Sequence, residues 1–440
     1  MGGLTGVYLY EKDCYDTLLH SAFHLQHRGT ESSALDTSKS KASKNVRAGE
    51  VKKAFSGAEG AEFSGNYGLA SVSGGKTGFM RLSSKMGKFS LAFAGRITNS
   101  KELKDEMKRS GESFAKGNTS EILARLISKG KDVVDGIKKM SEEVEGSYTI
   151  LILNNGFLYA TRDPRGILPL AVGKREDGVA VSSESPSLVE LGFDNYRDVE
   201  PGEILRLGKE GVEKVGQLEG RGRAHCAFEW MYTARPDSVI QDVEAMGVRR
   251  RAGRRLAEVD DVEGDKIGPV PQSGIGYAIG YHQGSKIPYE DFFYLNRFSK
   301  RSYIPADPEV REQVAKEKLS VIRSSTKGKK LVLGEDSIVR GNQMIRLRDT
   351  LKKKGGAKEV HARIGCPPIT EPCPYTETTN KRSNLIYNRY NGSVEKICEK
   401  LNLDSLTYNS PQDVIDAIGL PREELCMGCL TGNFPTQGER

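Results

Sequence analysis

Long hydrophobic runs are missing from this chain of 440 residues. None approaches the roughly 18 apolar residues that a membrane-spanning helix needs. The opening residues, MGGLTGVYLYEKD, also lack a basic region followed by an apolar stretch, so they do not have the pattern of a secretory signal peptide. From these two absences we expect a soluble protein that stays in the cytoplasm.

A basic stretch interleaved with aromatic residues is also missing, which argues against a nucleic acid as the ligand. The formal net charge is nevertheless +7, and the isoelectric point is near 8.8. Such a charge balance is typical either of a solvated basic surface or of a protein that binds a phosphorylated metabolite.

Cysteine is scarce, with seven residues in the chain. An odd number of cysteines in a chain without an export signal argues against a disulfide framework. Two of the seven, Cys426 and Cys429, form a CxxC pair. Inside a cell this spacing indicates metal binding or redox chemistry.

The chain is too long for one ordinary hydrophobic core, so we expect two domains. In the first half, strand-like runs such as YGLASVSG, FSLAFAG and SYTILILNN end in turn residues, and helical patterns cover residues 15–26 and 120–128. This alternation predicts stacked antiparallel sheets with helices outside. A glycine-rich polar stretch at 216–225 then changes the composition, and we place the boundary between domains 1–220 and 221–440 there.

The second half has a different rhythm. KKLVLG is typical of a buried strand. Residues 343–354 have the pattern of a helix, which Gly355 and Gly356 end, and EVHARIG is typical of the next strand. This βαβ pattern predicts a parallel sheet. Ligands of such sheets bind beyond the carboxyl ends of the strands, which is where the loop at 335–343 falls.

That loop begins EDSIVRG, which resembles the phosphoribosyl-pyrophosphate loop of type I phosphoribosyltransferases. More narrowly, the chain is similar to the glutamine phosphoribosylpyrophosphate amidotransferases, which make phosphoribosylamine at the start of purine synthesis. Seven segments carry this resemblance in family order: LQHRGTE, RDPRGILPL, RDVEPGE, FEWMYTARPDS, NRFSKRSYI, KEVHARIGCPPITEPC and CMGCLTGNFPT. The resemblance implies an N-terminal-nucleophile αββα sandwich, glutaminase-like, over residues 1–220. It implies a type I phosphoribosyltransferase parallel-sheet domain over residues 221–440.

The resemblance also implies a substrate site. In that family two acids bind the ribose hydroxyls, and the loop after them wraps the 5′-phosphate; the corresponding residues are Glu335, Asp336, Ser337, Arg340, Gly341, Asn342 and Gln343. Glu335 stands where the family usually has Asp, and Asn342 and Gln343 replace two Thr. Amides still donate hydrogen bonds, but they are bulkier in a tight loop.

A second anion site follows from the same resemblance. PVPQSGIGYAIGY is similar to the family's pyrophosphate segment, with Ser273 and Gly274 as its small residues and Gln272 where Asp is usual. A basic loop of the family stabilises the departing pyrophosphate. The corresponding residues here are Arg301, Lys316 and Lys318, which are candidates for catalysis. Arg311 of the same loop is a candidate for substrate binding. Mg²⁺ would travel with the substrate, held mainly by phosphate oxygens.

The glutaminase half departs from the family at four chemical positions. The N-terminal cysteine that attacks glutamine falls on Gly2, which has no side chain. The carboxylate clamp falls on Ser73, the oxyanion-hole Asn on Ala94 beside a retained Gly95, and the amine-binding Asp on Thr119. Four roles are lost together, so we expect a degenerate glutaminase site in a domain that still folds.

Four cysteines stand where the cluster-bearing branch of the family holds a [4Fe–4S] cluster: Cys226, Cys373, Cys426 and Cys429. Thiolates are the usual ligands of such clusters. A zinc ion in the same four-cysteine set, or no metal, are the alternatives. The remaining three, Cys14, Cys366 and Cys398, are interpreted as structural.

Together these features predict an ammonia-dependent amidophosphoribosyltransferase of purine biosynthesis. Phosphoribosyl pyrophosphate and ammonia, either free or from a partner glutaminase, would give phosphoribosylamine and pyrophosphate. Because family members are oligomers, we expect a homo-oligomer. The rival hypothesis is a non-catalytic paralogue that senses phosphoribosyl pyrophosphate or nucleotide, or regulates an active relative. The changes at Gln272, Glu335, Asn342 and Gln343 favour the rival, and the intact SIVRG favours the enzyme.

Overall fold

The computed structural model describes residues 2–58, 62–75, 78–296, 319–376 and 381–436. Within these ranges no helix combines the length and the apolar character needed to cross a membrane.

Among the described residues of the first half, thirteen strands form two antiparallel sheets. In chain order they are β1 (Gly2–Leu9), β2 (Ser32–Thr37), β3 (Val46–Ala48), β4 (Tyr67–Ser73), β5 (Gly78–Ser84), β6 (Gly87–Ile97), β7 (Gly146–Asn154), β8 (Phe157–Arg162), β9 (Ala171–Arg175), β10 (Gly178–Ser182), β11 (Asn195–Asp198), β12 (Glu203–Gly208) and β13 (Gly211–Gln217). The seven-stranded sheet has the order β11-β9-β10-β1-β4-β2-β3, and the six-stranded sheet has the order β13-β12-β8-β7-β6-β5.

Helices cover the outer faces of these sheets. They are Tyr15–His24, Val51–Phe55, Ser100–Arg109, Thr119–Ser128, Val133–Glu143 and Ser185–Val189. Strand β1 is buried on both of its faces. Leu4 packs between the two sheets with Leu151 and Leu158. Val7, on the other face, packs with Leu18 of the helix Tyr15–His24. A strand buried on both faces is apolar on both faces, as β1 is. The prediction of stacked antiparallel sheets with helices outside is confirmed.

The second half is built on a four-stranded parallel sheet with the order β17-β20-β21-β22. The strands of this half are β14 (His225–Cys226), β15 (Val239–Ile240), β16 (Val243–Glu244), β17 (Lys266–Pro269), β18 (Phe293–Leu295), β19 (Leu319–Val321), β20 (Lys330–Glu335), β21 (Glu359–Ile364), β22 (Ser405–Tyr408) and β23 (Leu425–Cys426). Its helices are Ala245–Glu258, Ile275–Ser285, Arg323–Thr326, Asn342–Asp349, Ile386–Arg389, Val394–Leu401, Pro411–Ile418 and Gly428–Thr431. The predicted βαβ unit is therefore present as β20, the helix Asn342–Asp349 and β21.

Two predicted helices end earlier than the sequence pattern indicated. The first helix stops at His24 and continues as a separate 3₁₀ turn, Gln26–Arg28. The helix after β20 stops at Asp349, and a wider π-type turn, Thr350–Lys354, leads to the two glycines. Helix ends fray or change type in this way because the last carbonyls lack partners within the helix.

Candidate active site

A cavity of about 510 Å³ lies at the carboxyl end of β20. The predicted site residues that line it are Ser273, Glu335, Asp336, Ser337, Arg340, Gly341, Asn342 and Gln343. The structure thus brings the acid pair, the loop after it and one residue of the pyrophosphate-type segment to a single space. Four predicted cations, Arg301, Arg311, Lys316 and Lys318, lie outside the described residues.

Gly341 fixes the geometry of the loop. Its φ is +84°, in the left-handed region, and it directly precedes the helix Asn342–Asp349. A Cβ at this position would lie 2.7 Å from Ile386 Cδ1 and 2.9 Å from Leu401 Cδ2, so both conformation and space require glycine. The positive end of the helix dipole, with its unpaired N–H groups, therefore lies beside the cavity, and such helix starts bind anions.

The two acids at the end of β20 have different surroundings. Both are buried, and Glu335 Oε1 accepts hydrogen bonds from Ser273 Oγ at 2.6 Å and from the Asp336 backbone N–H at 2.9 Å. Asp336 Oδ2 accepts a hydrogen bond from the Ser337 hydroxyl. Burial, and then the charge of Asp336, raise the pKa of the Glu335 carboxyl well above its usual range, because adjacent carboxylates resist joint ionisation.

Gly274 does not line the cavity. A Cβ there would lie 2.1 Å from the Gly334 carbonyl oxygen, which means that the segment packs directly on the end of β20. Its backbone N–H donates to the Val270 carbonyl at 2.9 Å, and the Val270 N–H donates to the Gly334 carbonyl at 2.8 Å. The sequence predicted that Gly274 is small so that the backbone can approach phosphate. In the structure its small size is required by packing against the end of β20.

Seven further residues that line the cavity were not predicted from the sequence. They are Phe228, Tyr232, Thr233, Arg346, Ile369, Glu371 and Thr376. Three of these belong to FEWMYTARPDS, whose backbone is held from behind by Arg249. The Arg249 guanidinium donates to the carbonyls of Trp230 at 2.9 Å, Tyr232 at 3.1 Å and Ala234 at 2.7 Å. The motif was visible in the sequence, but no charge or spacing in it indicated which cavity it would face.

A second cavity, of about 260 Å³, lies in the first half of the chain. All five positions that the sequence marked as a degenerate glutaminase site line it: Gly2, Ser73, Ala94, Gly95 and Thr119. Gly2 pairs with Ser73 across β1 and β4. A Cβ on Gly2 would lie 3.7 Å from Ala94 Cβ and 4.0 Å from Ser73 Cβ, so three of these positions are immediate neighbours.

Two arginines line the second cavity, and both have partners. Arg28 Nη2 donates to Glu229 Oε2 at 2.5 Å, and Arg28 Nε donates to Glu184. Arg96 Nη1 donates to the Thr376 carbonyl oxygen at 3.3 Å. Thr376 lines both cavities, so this segment lies between the two spaces.

Four thiols gather where the two halves meet. Cys226 and Cys426 are opposite each other in the parallel pair β14 and β23. Cys226, Cys373 and Cys426 share an apolar cluster with Ile167 and Tyr375, and Cys429 lines the larger cavity with Cys226 and Cys373. Burial raises the pKa of the Cys426 thiol to about 12, with the nearby Cys373 adding to the rise.

The described residues contain no group of three or more His, Cys, Asp or Glu side chains arranged to hold a single metal ion. Of the cysteines interpreted as structural, Cys14 and Cys366 are buried and Cys398 is partly buried.

Comparison with known proteins agrees with this architecture. A family profile described as "Glutamine amidotransferase domain" matches residues 71–190. The amidophosphoribosyltransferase of Methanothermobacter thermautotrophicus is 37% identical, over 99% of this chain and 94% of its own length. The amidophosphoribosyltransferase of Bacillus subtilis is 32% identical, over 99% of this chain and 94% of its own length. The chain belongs to the amidophosphoribosyltransferase family.

Amidophosphoribosyltransferases of known structure share the whole fold. A glutamine phosphoribosylpyrophosphate amidotransferase from Bacillus subtilis, complexed with ADP and GMP, superposes with a TM-score of 0.88 at 30% identity, covering 98% of this chain and 97% of the other. The fold predicted from the sequence is therefore confirmed: an N-terminal-nucleophile-type sandwich followed by a phosphoribosyltransferase-type parallel sheet. The amidophosphoribosyltransferases to which the chain is similar are enzymes of the glycosyltransferase type.

Proposed function

We propose that this protein transfers the phosphoribosyl group of phosphoribosyl pyrophosphate to ammonia, as a step of purine biosynthesis. One observation carries the proposal. A buried acid pair, the Ser337–Arg340 loop and the glycine-headed start of a helix line one cavity at the carboxyl end of a parallel strand. This combination suits a ribose diol next to a phosphate, since carboxylates accept from hydroxyls and helix starts bind anions.

In the proposed reaction the ammonia nitrogen attacks the anomeric carbon of the ribose. The bond from that carbon to the pyrophosphate oxygen breaks, and pyrophosphate leaves with the electron pair. The nitrogen then releases a proton, giving phosphoribosylamine. Asp336 would accept hydrogen bonds from the ribose hydroxyls, and Ser337 and the backbone after Arg340 would bind the 5′-phosphate. Fixed donors of this kind place the anomeric carbon for attack without reorganisation during the reaction.

The pyrophosphate end remains a prediction from the family resemblance. Arg301, Lys316 and Lys318 are proposed as cations that stabilise the leaving group, with Arg311 as a further contact. Mg²⁺ bound to the substrate would neutralise charge on the pyrophosphate. The Asp336 carboxylate suits a substrate that arrives with a divalent cation, because such cations prefer oxygen ligands.

Loss of glutamine hydrolysis is the second part of the proposal. The smaller cavity supports it, because no cysteine lines it among the described residues. Ser73 has no forked guanidinium for a carboxylate, and Ala94 has no amide for an oxyanion. Arg28 is close by but is already paired with Glu184 and Glu229. Ammonia would thus come from solution or from a partner glutaminase.

An iron–sulfur cluster is the third part of the proposal. Cys226, Cys373 and Cys426 share one apolar cluster, with Cys226 and Cys426 on paired strands, and Cys429 is close enough to the other three to affect their electrostatics. A four-iron cluster is larger than a single ion, so its thiolate ligands stand further apart than ligands that share one metal ion. Cys226, Cys373, Cys426 and Cys429 would hold the cluster. Bound there, it would cross-link the β14–β23 pair to the segment that separates the two cavities.

We also propose the domain boundary at 220/221, a cytoplasmic location and a homo-oligomeric state. The rival hypothesis of a non-catalytic sensor gains no support from the relatives, which are named as amidophosphoribosyltransferases. It remains one outcome of the test below.

Calorimetric titration with phosphoribosyl pyrophosphate and Mg²⁺ tests the site. Asp336→Asn keeps the shape and removes the charge. Hydrogen bonds to a charged group contribute about 1.5–3 kcal/mol, so we expect Kd to rise by roughly tenfold or more. Asp349→Asn, which removes a carboxylate at the far end of the next helix, serves as the control and leaves Kd unchanged. Equal effects of the two variants, or no binding by the unaltered protein, would remove the basis of the proposal.

A further inference from the structure

The hydrogen bond between Ser273 and Glu335 connects two parts of the proposed substrate site. The donor is 62 positions before the acceptor in the chain, and the Oγ–Oε1 distance is 2.6 Å. Ser273 belongs to the pyrophosphate-type segment, and Glu335 to the ribose-type acid pair. Both residues line the larger cavity.

The same carboxylate oxygen also accepts the Asp336 backbone N–H at 2.9 Å. Glu335 Oε1 therefore accepts two hydrogen bonds from the protein, and the residue is only 3% exposed. Asp336 has different partners: its Oδ2 accepts from the neighbouring Ser337 hydroxyl, and its carboxyl group lies against that of Glu335. Among the described residues, Glu335 is the acid that is bonded to the pyrophosphate-type segment, and Asp336 is not.

The length of the glutamate side chain is needed for this bond. An aspartate at the same position would retract the carboxylate by roughly one carbon–carbon bond, about 1.5 Å. The distance to Ser273 Oγ would then approach 4 Å, beyond hydrogen-bonding range. A glutamine at this position would keep both the reach and the acceptor oxygen.

The backbone around Ser273 is held at the same strand end. The Val270 N–H donates to the Gly334 carbonyl at 2.8 Å, and Gly274 packs against that carbonyl so closely that a Cβ would lie 2.1 Å from it. Two backbone contacts to Gly334 and one side-chain bond to Glu335 therefore fix the segment 270–274 at the end of β20. Only the side-chain bond reaches an acid of the cavity.

We infer that Glu335 is a positioning residue, which holds the pyrophosphate-type segment through Ser273 and leaves the ribose contact to Asp336. The effect on substrate binding rests on the proposed function, whereas the Ser273–Glu335 hydrogen bond does not depend on it. It predicts that length and acceptor capacity at position 335 matter, and that negative charge there does not.

Two readouts test this inference. The first is amide hydrogen exchange over residues 270–275 in the ligand-free protein. Ser273→Ala and Glu335→Asp should each speed exchange by about tenfold, the size expected for the loss of one hydrogen bond of this kind. Glu335→Gln should change it less than about twofold. The matched control is Ser285→Ala, which removes a hydroxyl that donates to the Tyr281 carbonyl at 2.8 Å, at the far end of the helix Ile275–Ser285 that follows Ser273.

The second readout is the Kd for phosphoribosyl pyrophosphate. Ser273→Ala and Glu335→Asp should raise it by similar factors, and the double variant should be no worse than either. The inference is overturned if Glu335→Gln weakens binding as much as Asp336→Asn, or if exchange over 270–275 is indifferent to Ser273→Ala and Glu335→Asp. Because exchange is measured without ligand, it decides the inference even where the proposed substrate fails to bind.

Discussion

The side chains of Arg28 and Glu229 join the two halves of the chain, with Arg28 Nη2 donating to Glu229 Oε2 at 2.5 Å across 201 sequence positions. The same guanidinium is paired with Glu184, and all three side chains are almost fully buried. Glu184 in turn accepts from the Ser238 hydroxyl at 2.6 Å. A buried charge network of this kind is sensitive to the loss of any one member, because a remaining charge is then left unpaired.

Arg28→Met should therefore destabilise the protein strongly. Breaking a buried ion pair by removing one partner costs about 3–5 kcal/mol, so we expect a marked fall in the free energy of unfolding by urea. The matched control is Arg255→Met, which removes exposed ion pairs with Glu258, Asp413 and Asp416 and should lower the free energy of unfolding far less, because exposed pairs contribute little. Equal stability of the two variants would show that the two halves do not depend on this network.

Glu121 provides a prediction on pH. Its carboxylate accepts hydrogen bonds from the backbone N–H groups of Ala115, Lys116 and Gly117 and pairs with Arg125. Burial alone would raise the pKa of this carboxyl group, but these bonds together lower it from 4.5 to about 2. Since the folded pKa is depressed, this stabilisation is present above the unfolded value and is lost as pH falls from about 4.5 towards 2.

The variant Glu121→Gln should be less stable than the unaltered protein at pH 7, because a neutral amide oxygen accepts the three N–H groups more weakly than a carboxylate does. The difference from the unaltered protein should shrink by pH 3, and urea unfolding at both values measures it. A difference that stays constant between pH 7 and pH 3 would contradict the assignment.

Glutamine hydrolysis should not return when the missing nucleophile alone is supplied. Gly2→Cys places a thiol in a cavity that still lacks the clamp and oxyanion groups at Ser73, Ala94 and Thr119. Even the Cβ would lie only 3.0 Å from the Val72 carbonyl oxygen. Losing the nucleophile of a catalytic triad costs on the order of 10⁶ in rate, and here other roles are missing as well. Glutamate release by this variant, measured against the unaltered chain, should stay at background.

The four thiols predict a metal content that can be measured directly. Protein purified without air should be brown and contain about four irons per chain. Cys426→Ser should lower both the iron content and the melting temperature, because metal binding and folding are coupled. Cys398→Ser, at a partly buried cysteine away from this cluster, is the control and should retain the iron. Colourless protein with one zinc per chain would favour the zinc alternative.

Sequence reasoning recovered those parts of the site that are continuous along the chain. The strand, the acid pair and the loop after it are consecutive residues, so their order alone placed them beyond a strand end. The wall formed by Phe228 and Tyr232 was not predicted, because its direction depends on Arg249 packing behind it. The Ser273–Glu335 bond was missed for a similar reason, since it depends on how closely two neighbouring strands approach.

The most direct test of the account compares two nitrogen donors in one assay. Pyrophosphate and glutamate are measured with phosphoribosyl pyrophosphate and Mg²⁺, adding either an ammonium salt or glutamine, with Asp336→Asn as the control. The account predicts ammonium-dependent pyrophosphate release that increases with pH as more NH₃ is unprotonated, and neither product from glutamine. Glutamate and pyrophosphate formed together from glutamine would contradict the loss of the glutaminase. Binding of phosphoribosyl pyrophosphate without pyrophosphate release at any ammonium concentration would contradict the enzyme and leave a sensor.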